Sequence, residues 1–228
     1  MTRHRLTLAL SVAAAAVYLL MWVGFAADWS WLRVADGWAL RHCYDFAVGR
    51  PGWVTGWDVF CTVLGTVVLR VLVAVLIVVE FVRRRARVAI FLLLSVELSA
   101  AVTELAKWLA GRARPDTALV YAHGLSFPSG HALGLLVIVA ALLTVYLRDL
   151  PDGWRAPALW AGVALVVATG VGRVVLNVHH PSDVLAGWAL GYLYFAFCRW
   201  VCPPFSVADG TPAAPDTARR TTPGSAAG

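Results

Sequence analysis

Charged residues are scarce in this chain of 228 amino acids: Asp, Glu, Lys and Arg together make up 14% of it, against about 25% in ordinary soluble domains. Hydrophobic residues reach 60%, and the mean hydropathy is +0.73. A soluble globular enzyme and a disordered protein are therefore both excluded. The composition indicates an integral membrane protein.

Cysteine is also scarce, with four residues at positions 43, 61, 198 and 202. They are too few and too widely spaced for a disulfide scaffold, and Cys198 and Cys202 have no nearby histidine, so no metal site is indicated. The 19 Lys and Arg residues exceed the 13 acidic ones, but they are scattered and form no groove for nucleic acid. We expect no nucleic-acid partner and attribute the basic excess to membrane topology.

Six segments are long and apolar enough to cross a bilayer, which takes about 20 residues. The sequence predicts them near 6–27, 66–82, 88–109, 131–147, 156–175 and 184–201. A cleaved signal peptide is the alternative for the first, since Phe25-Ala26-Ala27 resembles a cleavage site. Its apolar core exceeds the roughly 7–15 residues of a signal sequence, which favours an uncleaved anchor.

The predicted fold class is all-α integral membrane, with six transmembrane helices in one bundle over residues 1–202 and a disordered cytosolic tail at 203–228. Five tryptophans, from Trp29 to Trp57, fall between the first two spans. Because tryptophan favours the headgroup layer, we predict amphipathic interfacial helices there, broken at Arg50-Pro51-Gly52. They serve either as a simple anchor, which we favour, or as a lipid-facing entrance.

Arginine placement orients the predicted spans. The run at 83–87, the pair Arg148 and Arg155, and the arginines near both termini fall on one side, which the positive-inside rule assigns to the cytosol. Since the span count is even, both termini are expected on that side. In a bacterial cell, a protein with this predicted topology is a multi-pass protein of the inner (plasma) membrane.

Three polar clusters, at 107–115, 127–131 and 173–183, lie at the span ends that face away from the arginine-rich side. By this topology they converge on the outer membrane surface, which a random scatter would not produce. The convergence indicates a single site there.

Cationic and backbone groups in these clusters suit a phosphate. Lys107, Arg114 and Arg173 supply donors, the two arginines in bidentate fashion. Ser129 can cap the fourth span and leave the first N–H groups of that helix aimed at an anion, while Gly130 lets the backbone approach closely.

Two histidines and a carboxylate suit proton transfer and nucleophilic attack. His131 and His179 can act as proton donor and nucleophile, because imidazole titrates near neutral pH. Asp183 follows His179 by four residues and can hold that imidazole in one tautomer, as the carboxylate of a Ser-His-Asp triad does. His180 is interpreted as a bystander.

The charged residues inside the predicted spans include Arg70, Glu97 and Glu104. Arg70 is expected to extend outward to the membrane surface. Glu104 precedes Lys107 by three residues and is expected to orient that lysine, whereas Glu97 receives no role.

Together these motifs resemble the three-part signature of the type 2 phosphatidic acid phosphatase superfamily: Lys107 with Arg114-Pro115, then Pro128-Ser129-Gly130-His131, then Arg173 with His179 and Asp183. The similarity covers about residues 28–195. It implies a metal-independent phosphatase with an α-helical core and no cofactor. In bacterial members of this superfamily the active site lies at the extracytoplasmic surface.

The resemblance also implies a role for each matching position. His179 resembles the nucleophile that forms a phosphohistidine, Asp183 the residue that orients it, and His131 the general acid that protonates the leaving oxygen. The implied phosphate-binding groups are Lys107, Arg114, Ser129, Gly130 and Arg173. One departure is Gly172, where the third motif usually has serine, and this removes a hydroxyl from the site.

The leading hypothesis is therefore hydrolysis of a lipid phosphate or diphosphate at the outer membrane face. A polyprenyl diphosphate is favoured over phosphatidate or phosphatidylglycerol phosphate. The alternative from another class is a non-catalytic membrane lipid-binding or transport protein. The retained histidines and arginines favour the enzyme, as does the lack of discontinuous spans in two matching halves.

Overall fold

The structure is a computed structural model that describes residues 3–205. Within that range the regular structure is entirely helical. The α-helices are α1 Arg3–Ala26, α2 Ser30–Ala47, α3 Pro51–Val63, α4 Thr66–Val82, α5 Ala86–Leu92, α6 Ser99–Ala110, α7 Gly130–Tyr146, α8 Asp152–Val175 and α9 Pro181–Val201. A π turn at Leu93–Glu97 joins α5 to α6, and a 3₁₀ turn at Leu147–Asp149 follows α7.

Within residues 3–205, six helical segments are long and apolar enough to cross a membrane: His4–Ala26, Pro51–Val82, Ala86–Ala110, Gly130–Asp149, Asp152–Val175 and Pro181–Val201. Five of them agree closely with the predicted spans. The second is longer, because α3 and α4 are separated by no more than Leu64 and Gly65. Its 32 residues correspond to about 48 Å of helix, well over the roughly 30 Å of a hydrocarbon core.

The predicted break before α3 is present. Gly49 adopts a left-handed φ of +80°, and Pro51 occupies the first helical position, where its missing N–H is not needed. The preceding helix α2 is amphipathic, with Leu32, Asp36 and Leu40 on its buried face. Whether α2 and α3 lie in the headgroup layer stays a prediction.

Large apolar side chains cover the outside of the bundle. Leu8 and Val12 on α1, and Val71 and Val78 on α4, are each more than half exposed. Such a surface promotes aggregation in water and is favourable in lipid. The chain is a multi-pass membrane protein.

Helix α7 lies at the centre and contacts α4, α6, α8 and α9. Its contact with α9 is close: a Cβ atom on Gly187 would lie 2.6 Å from the carbonyl oxygen of Ser129, and one on Gly191 would lie 2.9 Å from that of Leu133. Small residues let membrane helices approach this closely. The start of α9, which carries Asp183, is thereby held against the start of α7.

The core extends slightly beyond the predicted domain boundary at residue 202. Phe205 packs against the buried cluster around Phe91 and Leu133, and the Arg148 guanidinium lies 3.1 Å from the centre of its ring. The rest of the tail predicted to be disordered, residues 206–228, lies outside the described residues.

The third span changes its helical register at the π turn, which inserts an extra residue into the α-helical repeat. Beyond it, Ser99, Thr103 and Lys107 follow one another at intervals of four residues and share one face of α6. This face is turned toward α4 and the start of α7.

Candidate active site

The three predicted motifs meet around one cavity of about 530 Å³, between the starts of α4 and α7 and the end of α6. Six of the predicted site residues line it: Lys107, Arg114, Gly130, His131, Arg173 and His179. The other two, Ser129 and Asp183, are fully buried behind the cavity wall. Lys107 and His179, 72 positions apart in the chain, are thus brought into one site.

His179 is held in a short turn between α8 and α9. The backbone N–H groups of Val178 and His179 donate to the carbonyl oxygen of Arg173, at 3.2 and 3.3 Å. Asn177 adopts a left-handed φ of +53°, and its side-chain oxygen accepts from Thr117 Oγ1 at 2.9 Å. The turn therefore ties the imidazole to the end of α8 and to the loop before α7.

Two side chains flank the imidazole of His179, and one of them sets its tautomer. Arg114 Nη1 lies 3.1 Å from Nε2, and the nearer carboxylate oxygen of Asp183 lies 3.6 Å from Nδ1. Because a guanidinium can donate but not accept, Nε2 is the acceptor and the hydrogen is on Nδ1. Burial lowers the pKa of His179 to about 4, although the Asp183 carboxylate acts in the opposite direction. At neutral pH the imidazole is therefore uncharged, and its Nε2 lone pair faces Arg114, which lines the cavity with it.

Asp183 is itself fixed by hydrogen bonds. Its Oδ1 accepts from Arg112 Nη1 at 2.7 Å, and its Oδ2 accepts from the Ser126 hydroxyl and from the backbone N–H of His180 at 2.8 Å. His180 Nδ1 lies 3.1 Å from the same oxygen, and the two residues form a capping box at the start of α9. The N–H groups at a helix start require partners, and His180 and Asp183 supply them for α9. The interpretation of His180 as a bystander is therefore wrong.

Arg112 and Asp36 match no part of the three motifs, yet both belong to this network. Asp36, on the buried face of α2, accepts from Arg112 Nη2 at 2.8 Å and from the Ser182 backbone N–H at 3.0 Å. Arg112 thus bridges two buried carboxylates, those of Asp36 and Asp183. The sequence does contain a signal for Asp36: it lies four residues from both Leu32 and Leu40, so its carboxylate falls on the apolar face of an amphipathic helix.

The predicted phosphate-binding cations face the cavity. Lys107 Nζ donates to Glu104 Oε1 at 3.0 Å, so the expected pairing of these two residues is confirmed. Arg173 is 7% exposed, and its Nε has no hydrogen-bond partner among residues 3–205. Since a buried cationic donor without a partner is costly, an anion in the cavity would stabilise this arrangement.

Ser129 begins α7, as its sequence context predicts. Its Oγ accepts from the Ala132 N–H at 3.5 Å, and its own backbone N–H donates to the Asp183 carbonyl oxygen at 2.9 Å. The hydroxyl is engaged at the helix cap, whereas Gly130 and His131 line the cavity. A direct contact between Ser129 and phosphate stays a prediction.

The cavity is strongly cationic around His131. The charges of Arg173, Arg114 and Lys107 all act on this imidazole. A negatively charged group bound between the two histidines would therefore be near several positive charges at once. The arrangement suits an anion with several oxygens, such as a phosphate.

Gly172 is enclosed by Cys61 and Trp57 of α3. A Cβ atom on Gly172 would lie 2.7 Å from Cys61 Sγ and 2.7 Å from Trp57 Cε3. The thiol of Cys61 is buried beside the side chain of Arg173. The serine expected from the family pattern has no room here, and a thiol from another helix supplies the polar neighbour of Arg173 instead.

Arg70 points into the protein. Its Nη2 donates to Ser99 Oγ at 2.9 Å, and its side chain lines the cavity. The prediction that it extends to the membrane surface is wrong. An ionisable group in a membrane helix faces the polar interior of the bundle where one is available.

The fold and the cavity define an all-helical membrane protein with a histidine-based anion site. Comparison with known families gives a match to the PAP2 superfamily over residues 88–205, just over half of the chain. The matched region contains all three motifs. This chain belongs to the PAP2 superfamily, and the predicted resemblance is confirmed.

Two curated relatives show the range of the family. The chain is 39% identical to a phosphatidylglycerophosphatase B of Bacillus subtilis over 95 residues, which is 40% of this chain and 46% of that protein. It is 38% identical to a decaprenylphosphoryl-5-phosphoribose phosphatase of Mycobacterium tuberculosis over 96 residues, 40% of this chain and 48% of that protein. The matches span about half the length of these relatives.

The fold has a counterpart among solved structures. It is similar to the crystal structure of a transmembrane PAP2-type phosphatidylglycerolphosphate phosphatase from Bacillus subtilis, with a TM-score of 0.70. The similarity covers 84% of this chain and 94% of the other at 23% sequence identity. The predicted all-α, six-span fold class is confirmed.

Proposed function

We propose that this protein is a lipid phosphate phosphatase that removes a terminal phosphate through a phosphohistidine on His179. The observation that carries the proposal is the neutral His179 imidazole in the cavity lining, with Nε2 beside Arg114 and Nδ1 on the side of Asp183. Cations surround the same space. Catalysis is then mainly positioning plus charge stabilisation of the phosphoryl oxygens.

In the first step, His179 Nε2 attacks the terminal phosphorus, and the bond from that phosphorus to the oxygen on the lipid side breaks. His131 gives a proton to the departing oxygen. The hydrogen stays on His179 Nδ1, and the Asp183 carboxylate, 3.6 Å from that atom, stabilises the charge that develops on the ring. Lys107, Arg114 and Arg173 bind the phosphoryl oxygens.

In the second step, water attacks the phosphorus and the P–N bond breaks. The neutral His131 accepts a proton from that water and is restored as the acid, while His179 returns to its neutral form. The products are inorganic phosphate and the lipid. No metal ion is needed to neutralise the phosphate, because the cations already do so.

The proposed substrate is a lipid presented from the outer leaflet, with a polyprenyl diphosphate favoured and a glycerolipid phosphate as the alternative. Both curated relatives have names that describe lipids carrying two phosphate groups. We propose further that the chain is a bacterial inner-membrane protein with both termini cytosolic and the active site on the extracytoplasmic face.

The test is phosphate release by purified protein in detergent. Wild type should release phosphate with or without a strong chelator, and an acid-labile phosphoenzyme should form on mixing with substrate. His179→Ala should abolish both signals. The matched control is His42→Ala, at an exposed histidine of α2, which should keep wild-type activity. Loss of wild-type activity in chelator, or turnover by His179→Ala, would contradict the proposal.

A further inference from the structure

We propose that Arg70 binds a second phosphate group, one that lies between the reacting phosphate and the hydrocarbon and stays with the lipid after hydrolysis. This inference rests on the proposed function and narrows it to lipids that carry two phosphates. The preferred substrate is then a lipid diphosphate, or a lipid in which a phosphodiester precedes the terminal phosphate.

The depth of Arg70 in the bundle is the first argument. Its Nη2 lies 3.2 Å from the position that a Cβ atom on Gly134 would occupy, whereas Lys107 Nζ lies 3.9 Å from the corresponding position on Gly130. Gly130 and Gly134 are one helical turn apart on α7, or about 6 Å along its axis. The cavity therefore has two cationic levels, and the Arg70 level lies further into the span.

The surroundings of Arg70 are the second argument. Its Nη2 donates to the neutral hydroxyl of Ser99, and its Nε is buried without a hydrogen-bond partner among the described residues. Glu97 acts on it electrostatically, but Glu97 Oε1 is likewise buried without a partner within residues 3–205. A guanidinium held in this way inside a membrane helix retains donors for an anion.

The shape of the cavity is the third argument. Thr66 and Arg70 are one helical turn apart on α4, and Thr103 faces them from α6. These three residues line the same cavity as His179. A lipid whose terminal phosphate contacts His179 and whose chain extends into the span passes the Arg70 level. The lipid group that lies at the depth of Arg70 is therefore the one bonded directly to the hydrocarbon chain.

The chemistry explains what Arg70 would contribute. When the terminal phosphate is transferred to His179, the oxygen that departs from a diphosphate belongs to the remaining lipid phosphate, which takes up negative charge. In a diphosphate, Arg70 stabilises that charge as it develops. In a lipid with a phosphodiester before the terminal phosphate the leaving group is an alcohol, and Arg70 instead binds the charge that the phosphodiester already carries. A monophosphate lipid, whose leaving group is an alcohol, presents no anion at this level.

The experiment compares matched substrates in the full-length protein: farnesyl diphosphate with farnesyl monophosphate, and phosphatidylglycerol phosphate with phosphatidate. Arg70→Met should lower the ratio of kcat/KM for the two-phosphate to the one-phosphate lipid by about 10- to 100-fold, as expected for a lost charge-assisted hydrogen bond. A fall in the farnesyl ratio identifies a diphosphate as the ligand; a fall confined to the glycerolipid ratio identifies a phosphodiester.

Glu97→Gln is the matched control and should leave both ratios within about twofold of wild type, because Glu97 Oε1 makes no hydrogen bond within residues 3–205 and the change keeps the Arg70 guanidinium in place. Equal loss on both members of each pair in Arg70→Met would overturn the proposal, since it would show a purely structural role. Wild type inactive on all four lipids would instead reject the proposed function itself.

Arg70→Gln replaces Arg70→Met if the latter does not fold, because an amide can keep the hydrogen bond to Ser99 while the charge is removed. Wild type offers an independent measurement that needs no variant. Farnesyl methylenediphosphonate, which cannot be hydrolysed between its phosphorus atoms, should inhibit at least about tenfold more tightly than farnesyl phosphonate. Equal inhibition by the two compounds would overturn the diphosphate form of the proposal.

Discussion

His131 and His179 face the same cavity from different elements, one from the first turn of α7 and the other from the turn before α9. Their neighbours differ accordingly. His179 has Asp183 on one side and Arg114 on the other, an arrangement that fixes one tautomer. His131 has cations around it, which favours delivery of its proton to a developing negative charge.

This difference predicts that His131→Ala is sensitive to the leaving group. General acid catalysis contributes typically about 10²–10⁴-fold, and less when the leaving group is stable as an anion. His131→Ala should therefore lose most of its activity on an alkyl phosphate and much less on an aryl phosphate of an acidic phenol. The measurement is kcat/KM for both substrates. Equal losses would reject His131 as the general acid, and His179→Ala, inactive on both, is the comparison.

Gly172 leads to a second prediction at this scale. Gly172→Ala should lower both Tm and kcat/KM, because the new methyl group would meet Cys61 and Trp57 and displace the neighbouring Arg173. Overpacking of this kind costs about 1–3 kcal/mol of stability. Gly153→Ala, on the same helix with open space around it, is the control and should leave both values nearly unchanged. A Gly172→Ala enzyme that behaves like this control would show that the close contact has no consequence.

At the scale of elements, the network Asp36–Arg112–Asp183 joins α2 to the helix that carries the orienting carboxylate. The loop before α7 takes part as well, through Ser126 and Arg112. Helix α2 is therefore more than an interfacial anchor: its buried face completes the support of Asp183. The alternative of a lipid-facing entrance receives no support from this network, since Asp36 faces inward.

Asp36→Asn should consequently weaken catalysis from outside the cavity. It leaves Arg112 with one carboxylate in place of two, and removing one partner of a buried ion pair costs about 3–5 kcal/mol. We expect a lower Tm and a fall in kcat with little change in KM, because Asp36 does not contact substrate. Asp45→Asn, at an exposed aspartate on the same helix, is the matched control. A change in KM alone would contradict a positioning role for Asp36.

The spans and the motif residues were predictable because both leave local signals. An apolar run of about 20 residues and a charged group at its end can be read without knowledge of the neighbours. The roles of Arg112, Asp36 and His180 depend instead on which helices touch, and α2 meets α9 across 146 positions of sequence. The direction of Arg70 was missed for the same reason: the polar partner that turns it inward, Ser99, lies on another span.

At the scale of the whole molecule, the cavity lies at one end of the bundle and the densest basic segment at the other. Helix α4 begins beside the cavity at Thr66 and ends at Val82, next to Arg83 and Arg85, which flank the buried Glu80. The basic residues at the two ends of the bundle therefore have different roles. At the cavity end, Lys107, Arg114 and Arg173 line the site. Arg83 and Arg85 are more than half exposed and available to anionic headgroups.

This asymmetry predicts that the cavity opens away from the cytosol. A reporter inserted at Gly49, in the exposed turn between α2 and α3, should behave as exported, because that turn lies on the cavity side of α4. Reporters inserted at Arg84, in the turn after α4, and fused after Gly228 should both behave as cytosolic, since the positive-inside rule retains the arginine-rich turn there. Replacing Arg83, Arg84 and Arg85 with glutamine should weaken this preference and yield a mixed orientation. An exported signal from Arg84 together with a cytosolic one from Gly49 would place the cavity at the inner leaflet, and would require a lipid phosphate presented from the cytosolic side.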